Sequence, residues 1–265
     1  MPYADLDTYC LYYEDYPSLA GEETSLPIVF IHGFTIDHRM WVDDAKFFSQ
    51  WYRVLLLDLK GHGLSDAPET GYSRAHRVDE IVGFLDRLDI HKAHLVGLSM
   101  GGTTVLGVAL AHPERLASLT LVSTSAAGYD HGIKTEKVDE IARTQGMEVA
   151  RERWIKSTLQ YFCNDKQQLG QLLEQMMQEH SGAYWKDPMR GKYPPEDDLQ
   201  HVHEIDVPTM IFVGGLDRPF VPLAKTLHER ITGSRLSVFE DVGHMLNLES
   251  PNRFQQELKL FLEGK

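Results

Sequence analysis

The stretch AHLVGLSMGG, residues 93–102, decides how this chain is read. Its first six residues form an apolar run with almost no polar alternation, which suits a strand buried on both faces. The next periodic segment, Thr103–Ala111, reads as a helix. Between them lies Gly97-Leu98-Ser99-Met100-Gly101, a G-x-S-x-G string. Such a string arises by chance in about one chain in ten of this length, so it carries weight only in context. A strand before and a helix after supply that context. A serine on so sharp a turn needs a strained backbone, and glycines on both sides leave room for it. The turn also sets Ser99 at a helix N-terminus, where the dipole favours developing negative charge. No Gly-Lys-Ser/Thr closes the motif, so it is not a phosphate-binding P-loop.

Working outward, further apolar runs occur at Pro27–Ile31, Arg53–Asp58, Leu116–Val122, Thr209–Gly214 and Arg235–Glu240. An additional strand over Thr8–Glu14 is expected to pair antiparallel at one edge. Helical spacing marks Ser73–Leu88, with Ala75, Val78, Ile81, Val82, Leu85 and Leu88 on one stripe, and Pro251–Leu262, with Ser250 as its N-cap. Strands alternating with helices imply crossover connections and a largely parallel sheet. The rhythm breaks after Val122. Met147–Phe162 and Lys166–His180 read as successive helices, with no convincing strand before Pro208. The fold class is therefore α/β, a mostly parallel central sheet flanked by helices. Residues 1–125 and 205–265 form the core domain. Residues 126–204 form a helical lid inserted between two strands, over the sheet edge where ligands bind in open α/β sheets.

A serine hydroxyl needs a base, and the base needs an orienting acid. Of 13 histidines, His244 stands out: it lies in Val242-Gly243-His244, between the last strand and the final helix. Asp217 follows the strand TMIFVG directly, whereas the strand ending near Val122 offers only Ser123-Thr124-Ser125. The order Ser99, Asp217, His244 differs from that of chymotrypsin or subtilisin. Oxyanion donors are expected from the backbone N–H groups of Phe34, after the first core strand, and Met100. Each such donor is worth about 3 kcal/mol in the transition state. His32 reads as structural.

With these residues in view, the sequence resembles the α/β-hydrolase fold superfamily in its lidded serine hydrolase branch, which includes carboxylesterases and enol-lactonases. The resemblance runs from about residue 25 to the C-terminus. It rests on IHGF at 31–34, DLKGHGLSDAP at 58–68, VGLSMGG at 96–102, HPERLASLTLVST at 112–124, VPTMIFVGGLD at 207–217 and VGHMLNLESPNRF at 242–254. It implies a triad of Ser99, Asp217 and His244 and a structural turn at Asp58, Gly61, His62 and Gly63. The implied activity is hydrolysis of carboxylic esters, or lactones, of small-to-medium, mainly apolar acyl groups through an acyl-enzyme. Two alternatives stand beside it: a carbon–carbon bond hydrolase of aromatic degradation, or a non-catalytic receptor-like member. Leu98 and Met245 stand where carbon–carbon hydrolases usually carry Asn and Trp. Ser99 stands where dehalogenases carry Asp.

Composition narrows the partners. A formal charge of −13 with no basic stretch disfavours nucleic acid and anionic membranes. No apolar run approaches a membrane span. The N-terminal MPYADLDTYC has no apolar core of a signal peptide, so a cytoplasmic protein is expected, acting on a small molecule as a monomer or homodimer. Cys10 and Cys163 suggest neither a disulfide framework nor zinc. His201-x-His203-Glu204 has the wrong spacing for one helix face, and neither metal nor cofactor is expected. Tyr129, Trp185, Met189, Phe220 and Met245 are the candidates for the substrate-binding wall.

Overall fold

The sheet is built from strands whose residues alternate between two apolar layers. Along Ile28–Ile31 (β3) and Val54–Leu57 (β4), Val29, Ile31, Leu55 and Leu57 enter one core, and Ile28, Phe30, Val54 and Leu56 the other. Successive side chains of a strand point to opposite faces, so a strand covered on both sides must be apolar throughout. The protein is described from a computed structural model, which covers residues 2–21, 25–132, 137–162, 168–189 and 192–264.

Among the described residues, eight strands make one sheet. The others are Tyr3–Asp5 (β1), Cys10–Tyr16 (β2), Ala93–Leu98 (β5), Leu116–Val122 (β6), Thr209–Gly214 (β7) and Arg235–Phe239 (β8). Their order is β1-β2-β4-β3-β5-β6-β7-β8. Pairing is parallel from β4 through β8 and antiparallel for β1–β2 and β2–β4. The Thr8–Glu14 expectation is thus displaced by two residues. That strand is also not the edge, because the three-residue β1, too short for a periodicity signal, pairs outside it. The order reverses direction at β3, and the pairing of Ile31 with Gly97 sets the loop after β3 beside the turn after β5. Crevices at such reversals are where open α/β sheets bind ligands.

Helices cover both faces. Arg74–Arg87 (α2), Met100–Ala111 (α3) and Val221–Arg230 (α8) pack on one side through Val78, Ile81, Val105, Leu223 and Leu227. Val42–Phe48 (α1) and Pro251–Leu262 (α10) pack on the other through Phe48, Phe254 and Leu258. Ser73 caps α2 by accepting from the His76 N–H. Ser250 precedes α10 as expected, but its side chain makes no cap hydrogen bond.

Between β6 and β7 the described residues form helices and no strand: Val138–Thr144 (α4), Met147–Phe162 (α5), Gln168–Glu179 (α6) and Ala183–Lys186 (α7), with Leu246–Glu249 (α9) following later, after β8. The helical segment is fastened to the sheet. Ile155, Leu173, Met176 and Met177 join the same apolar cluster as Phe30 and Trp41. Polar ties add to this: Trp154 Nε1 donates to Thr35 Oγ1 at 2.7 Å, and Gly71 N–H donates to the Tyr193 hydroxyl at 2.9 Å. Arg39 pairs with Glu179 at 2.5 Å. Cys10 is a free thiol, and Cys163 lies outside the described residues. No helix among the described residues is long and apolar enough to cross a membrane.

Phe254 is fully buried, with its ring 5.3 Å from Phe212 and 5.9 Å from Trp41. Truncation there leaves a cavity between α10 and the sheet. Phe254→Ala is expected to lower unfolding free energy by about 3–5 kcal/mol in a urea titration, whereas the exposed Leu260→Ala should change it by under about 1 kcal/mol.

Candidate active site

Ser99 stands at the N-terminus of α3 with φ 55° and ψ −111°, in the left-handed half of backbone space that a residue with a Cβ rarely adopts. The turn is sewn to the neighbouring strand: Ser99 N–H donates to Val122 O at 2.9 Å, and Ser99 O accepts from Thr103 N–H at 3.0 Å. Glycine is required on both sides. A Cβ on Gly101 would sit 2.5 Å from the His32 carbonyl oxygen, and one on Gly97 would overlap the Gly101 carbonyl. α3 begins at Met100 rather than near Thr103, so the helix starts directly at the turn.

At the ends of β7 and β8, Asp217 and His244 meet. His244 Nδ1 lies 2.7 Å from Asp217 Oδ2, and both residues are buried. A carboxylate at Nδ1 holds the proton there and leaves Nε2 as the accepting nitrogen. The loop carrying His244 is clamped by Glu249, whose carboxylate accepts from Gly243 N–H at 3.0 Å and Met245 N–H at 3.1 Å. Ser99 lines a cavity of about 400 Å³ together with Phe34, Met100, Trp185 and Phe220. Phe220 joins the two halves of the site, since its ring also lies 4.5 Å from that of His244.

The loop after β3 bends back through Thr35, at φ 63°. Its hydroxyl donates to Phe34 O at 2.7 Å and accepts the Trp154 indole N–H. Among the described residues, neither Phe34 N–H nor Met100 N–H has a backbone or side-chain acceptor, so both can donate to a ligand oxygen. Of the expected wall residues, Trp185 and Phe220 line the cavity. Tyr129, Met189 and Met245 do not: Tyr129 packs, half-buried, on the core layer that holds Val105 and Phe220, Met189 is 40% exposed, and Met245 is buried in the opposite core layer. Lining residues that the sequence reading missed include Arg74, Arg77, Trp154 and Tyr184. A signal existed for the arginines. Arg74, Arg77, Val78 and Ile81 share one helix face, so two cations interrupt the buried stripe.

Beneath Phe34 lie three buried imidazoles. His32 and His62 ring centroids are 4.9 Å apart, and His62 and His180 4.6 Å. Leu59 N–H donates to His32 Nε2 at 3.0 Å, which leaves His32 Nδ1–H to donate to Gly33 O at 2.7 Å. His32 therefore ties two loops together, a structural role. Burial pushes all three imidazoles below their ordinary range, His180 to about 3. Asp37, His38 and Asp58 also converge, but their donor atoms are engaged internally. Asp58 accepts from the His38 and Leu64 N–H groups at 2.7 and 2.9 Å and meets His38 Nδ1 at 2.9 Å, while Asp37 accepts from Arg39. The cluster holds the turn at 58–64. His201 and Glu204 pair with each other on the surface at 2.8 Å.

Comparison with known proteins places these features in company. The model of the "Alpha/beta hydrolase family" matches residues 28–257. A provisionally named 2-succinyl-6-hydroxy-2,4-cyclohexadiene-1-carboxylate synthase of Bacillus subtilis (strain 168) is 27% identical, with 91% of this chain and 92% of that protein covered. The 3-oxoadipate enol-lactonase 1 of Acinetobacter baylyi is 26% identical, covering 92% of this chain and 91% of its own. The solved structure of an esterase from Exiguobacterium antarcticum superposes with a TM-score of 0.83 at 25% identity, covering 98% of each chain.

The buried imidazoles have a consequence for stability. An unfolded histidine takes up a proton as pH drops below about 6.5, whereas one with a depressed folded-state pKa does not, so stability falls with pH by up to about 1.4 kcal/mol per unit per histidine. Asp44 and Glu80, raised to about 7 by burial, oppose this by taking up protons in the folded state. The histidine contribution is isolated by comparing wild type with His180→Gln. Between about pH 7.5 and about pH 5.5 the wild type should lose more unfolding free energy than the variant. Equal losses in the two proteins would contradict it.

Proposed function

Because the chain belongs to the alpha/beta hydrolase family, we propose that it is a carboxylic ester hydrolase working by a Ser-His-Asp acyl-enzyme mechanism on esters or lactones. The observation that carries this reading is the 2.7 Å contact of His244 with Asp217 beside a cavity lined by Ser99 on its strained turn. In the proposed reaction Ser99 Oγ attacks the substrate carbonyl while His244 Nε2 takes its proton. The developing oxyanion accepts hydrogen bonds from the Phe34 and Met100 N–H groups. His244 then returns the proton to the departing alkoxide, and water repeats the sequence to release the acid. Asp217 keeps the imidazole in the required tautomer.

The acyl group meets a largely apolar wall. Phe34, Val138, Trp154, Trp185 and Phe220 suit a small-to-medium hydrocarbon portion, and a volume of about 400 Å³ is ordinary for a small-molecule site. The helices between β6 and β7 supply Val138, Trp154, Tyr184 and Trp185 to this wall and act in this reading as a lid. The enol-lactonase and esterase relatives support both ester and lactone as substrate classes.

A panel of para-nitrophenyl esters and simple lactones tests the proposal. Turnover of at least one class is expected, with kcat/KM lowered by about a thousandfold or more in Ser99→Ala and in Asp217→Asn. Wild-type inactivity on the whole panel, or a rate untouched by Ser99→Ala, would sink it.

A further inference from the structure

The wall of the Ser99 cavity carries two guanidinium groups and, among the described lining residues, no carboxylate. The two arginines differ in their company. Arg74 Nε meets Glu196 Oε2 at 3.0 Å and Arg74 Nη2 meets Asp198 Oδ1 at 2.9 Å, so its charge is matched within the protein. Arg77 makes no ion pair among the described residues. Its Nε donates to Thr104 Oγ1 at 3.0 Å and its Nη1 to Tyr72 O at 3.0 Å, both uncharged acceptors. Nη2 has no protein partner among the described residues. The nearby acids are shared or engaged. Glu80, one turn along α2, lies in the field of both Lys60 and Arg77 and accepts from Lys60 N–H at 2.7 Å, and Asp187 accepts from the Tyr193 hydroxyl at 2.6 Å.

Arg77 is only 9% exposed. Glu80 is shared with the buried Lys60, so Arg77 has no close counter-charge of its own; holding such a cation out of water costs several kcal/mol, and an apolar residue beside Val78 would avoid that cost. The group is also held still. Two hydrogen bonds fix the plane of the guanidinium, and the Thr104 hydroxyl that anchors it donates in turn to Met100 O at 2.9 Å. A cation so fixed, two hydrogen bonds from the residue that follows the nucleophile, is arranged to meet an anion that arrives with the ligand.

We infer that Arg77 is a specificity-determining residue that pairs with a carboxylate on the acyl portion of the substrate, so that the substrate is an ester or lactone of a short dicarboxylic acid. This rests on the hydrolase reading above and adds one charged position to an otherwise apolar wall. The aromatic side chains hold the hydrocarbon part, and Arg77 sets how far the free acid lies from the scissile carbonyl. The overall negative charge of the protein slows the approach of such a substrate but leaves the local match intact.

Two readouts test this separately from catalysis itself. In the Ser99→Ala protein, calorimetry compares monomethyl glutarate with methyl butyrate. The charged ester should bind at least about tenfold more tightly, as a charge-assisted contact provides, and Arg77→Met in the same background should erase the difference while Arg77→Lys keeps part of it. With Ser99 intact, the ratio of kcat/KM for the mono-para-nitrophenyl ester of glutaric acid to that for para-nitrophenyl butyrate should fall about tenfold or more in Arg77→Met. A ratio taken within each protein cancels any loss of folded material. Equal affinities of the two esters, or a preference that survives Arg77→Met, overturns the inference. Absence of turnover for both nitrophenyl esters overturns the hydrolase reading instead, and the binding comparison still reports on Arg77.

Discussion

The backbone at Ser99 cannot relax, and the site is arranged around that constraint. A φ of 55° is held on one side by the hydrogen bond to Val122 and on the other by the first turn of α3. The turn also presses against the loop after β3 so closely that Gly101 has no room for a Cβ beside the His32 carbonyl. Three strand ends are locked by one turn: β5 carries the serine, β6 anchors it, and β3 delivers Phe34. Asp217 and His244 come from the ends of the next two strands, and the loop carrying His244 is clamped by a different acid, Glu249. Ser99, Asp217 and His244 thus sit on rigid supports, and local strain is carried by the sheet beneath them.

The helices above the sheet are coupled to this arrangement through few, well-defined contacts. Trp154 bonds the hydroxyl of Thr35, itself at φ 63°, next to Phe34. Ser181 donates to Gly61 O, and Tyr193 holds the loop at 71–72. The contacts reach the loop after β3 and the turn at 58–64, while Ile155, Met176 and Met177 root the same helices in the core. The cavity wall and the loop after β3 therefore share a support.

Much of the fold was legible because burial on both faces writes an unbroken apolar run. β5, β6 and β7 begin and end where those runs do. β1 left no trace, since three residues cannot show a period. Strand-end positions and chain order made His244 and Asp217 readable as a pair. The wall was read less well. Trp185 and Phe220 line it, but Met189 faces solvent and Met245 turns into the core, because local periodicity does not say which surface an inserted helix or a loop end presents. Arg77 went unread although its charge on an apolar stripe was visible. Its meaning depends on which groups come near it, and besides Glu80 on the same helix these are Thr104 of α3 and Asp187 of the segment between β6 and β7.

The two outer strands bear on how this molecule behaves in a crowd. A parallel sheet offers unpaired N–H and C=O groups along each margin, and such margins recruit strands from other chains. Here one margin is the three-residue β1, too brief to template a neighbour. The other is β8, where Arg253 lies across Phe239 at 3.8 Å and donates to the carbonyl of Val238 at 3.2 Å, occupying an acceptor that an incoming strand would need. The same side chain pairs with Glu257 at 2.7 Å. Both margins are blunted against cross-β growth, which protects a sheet whose interior runs, once exposed, would be strongly adhesive.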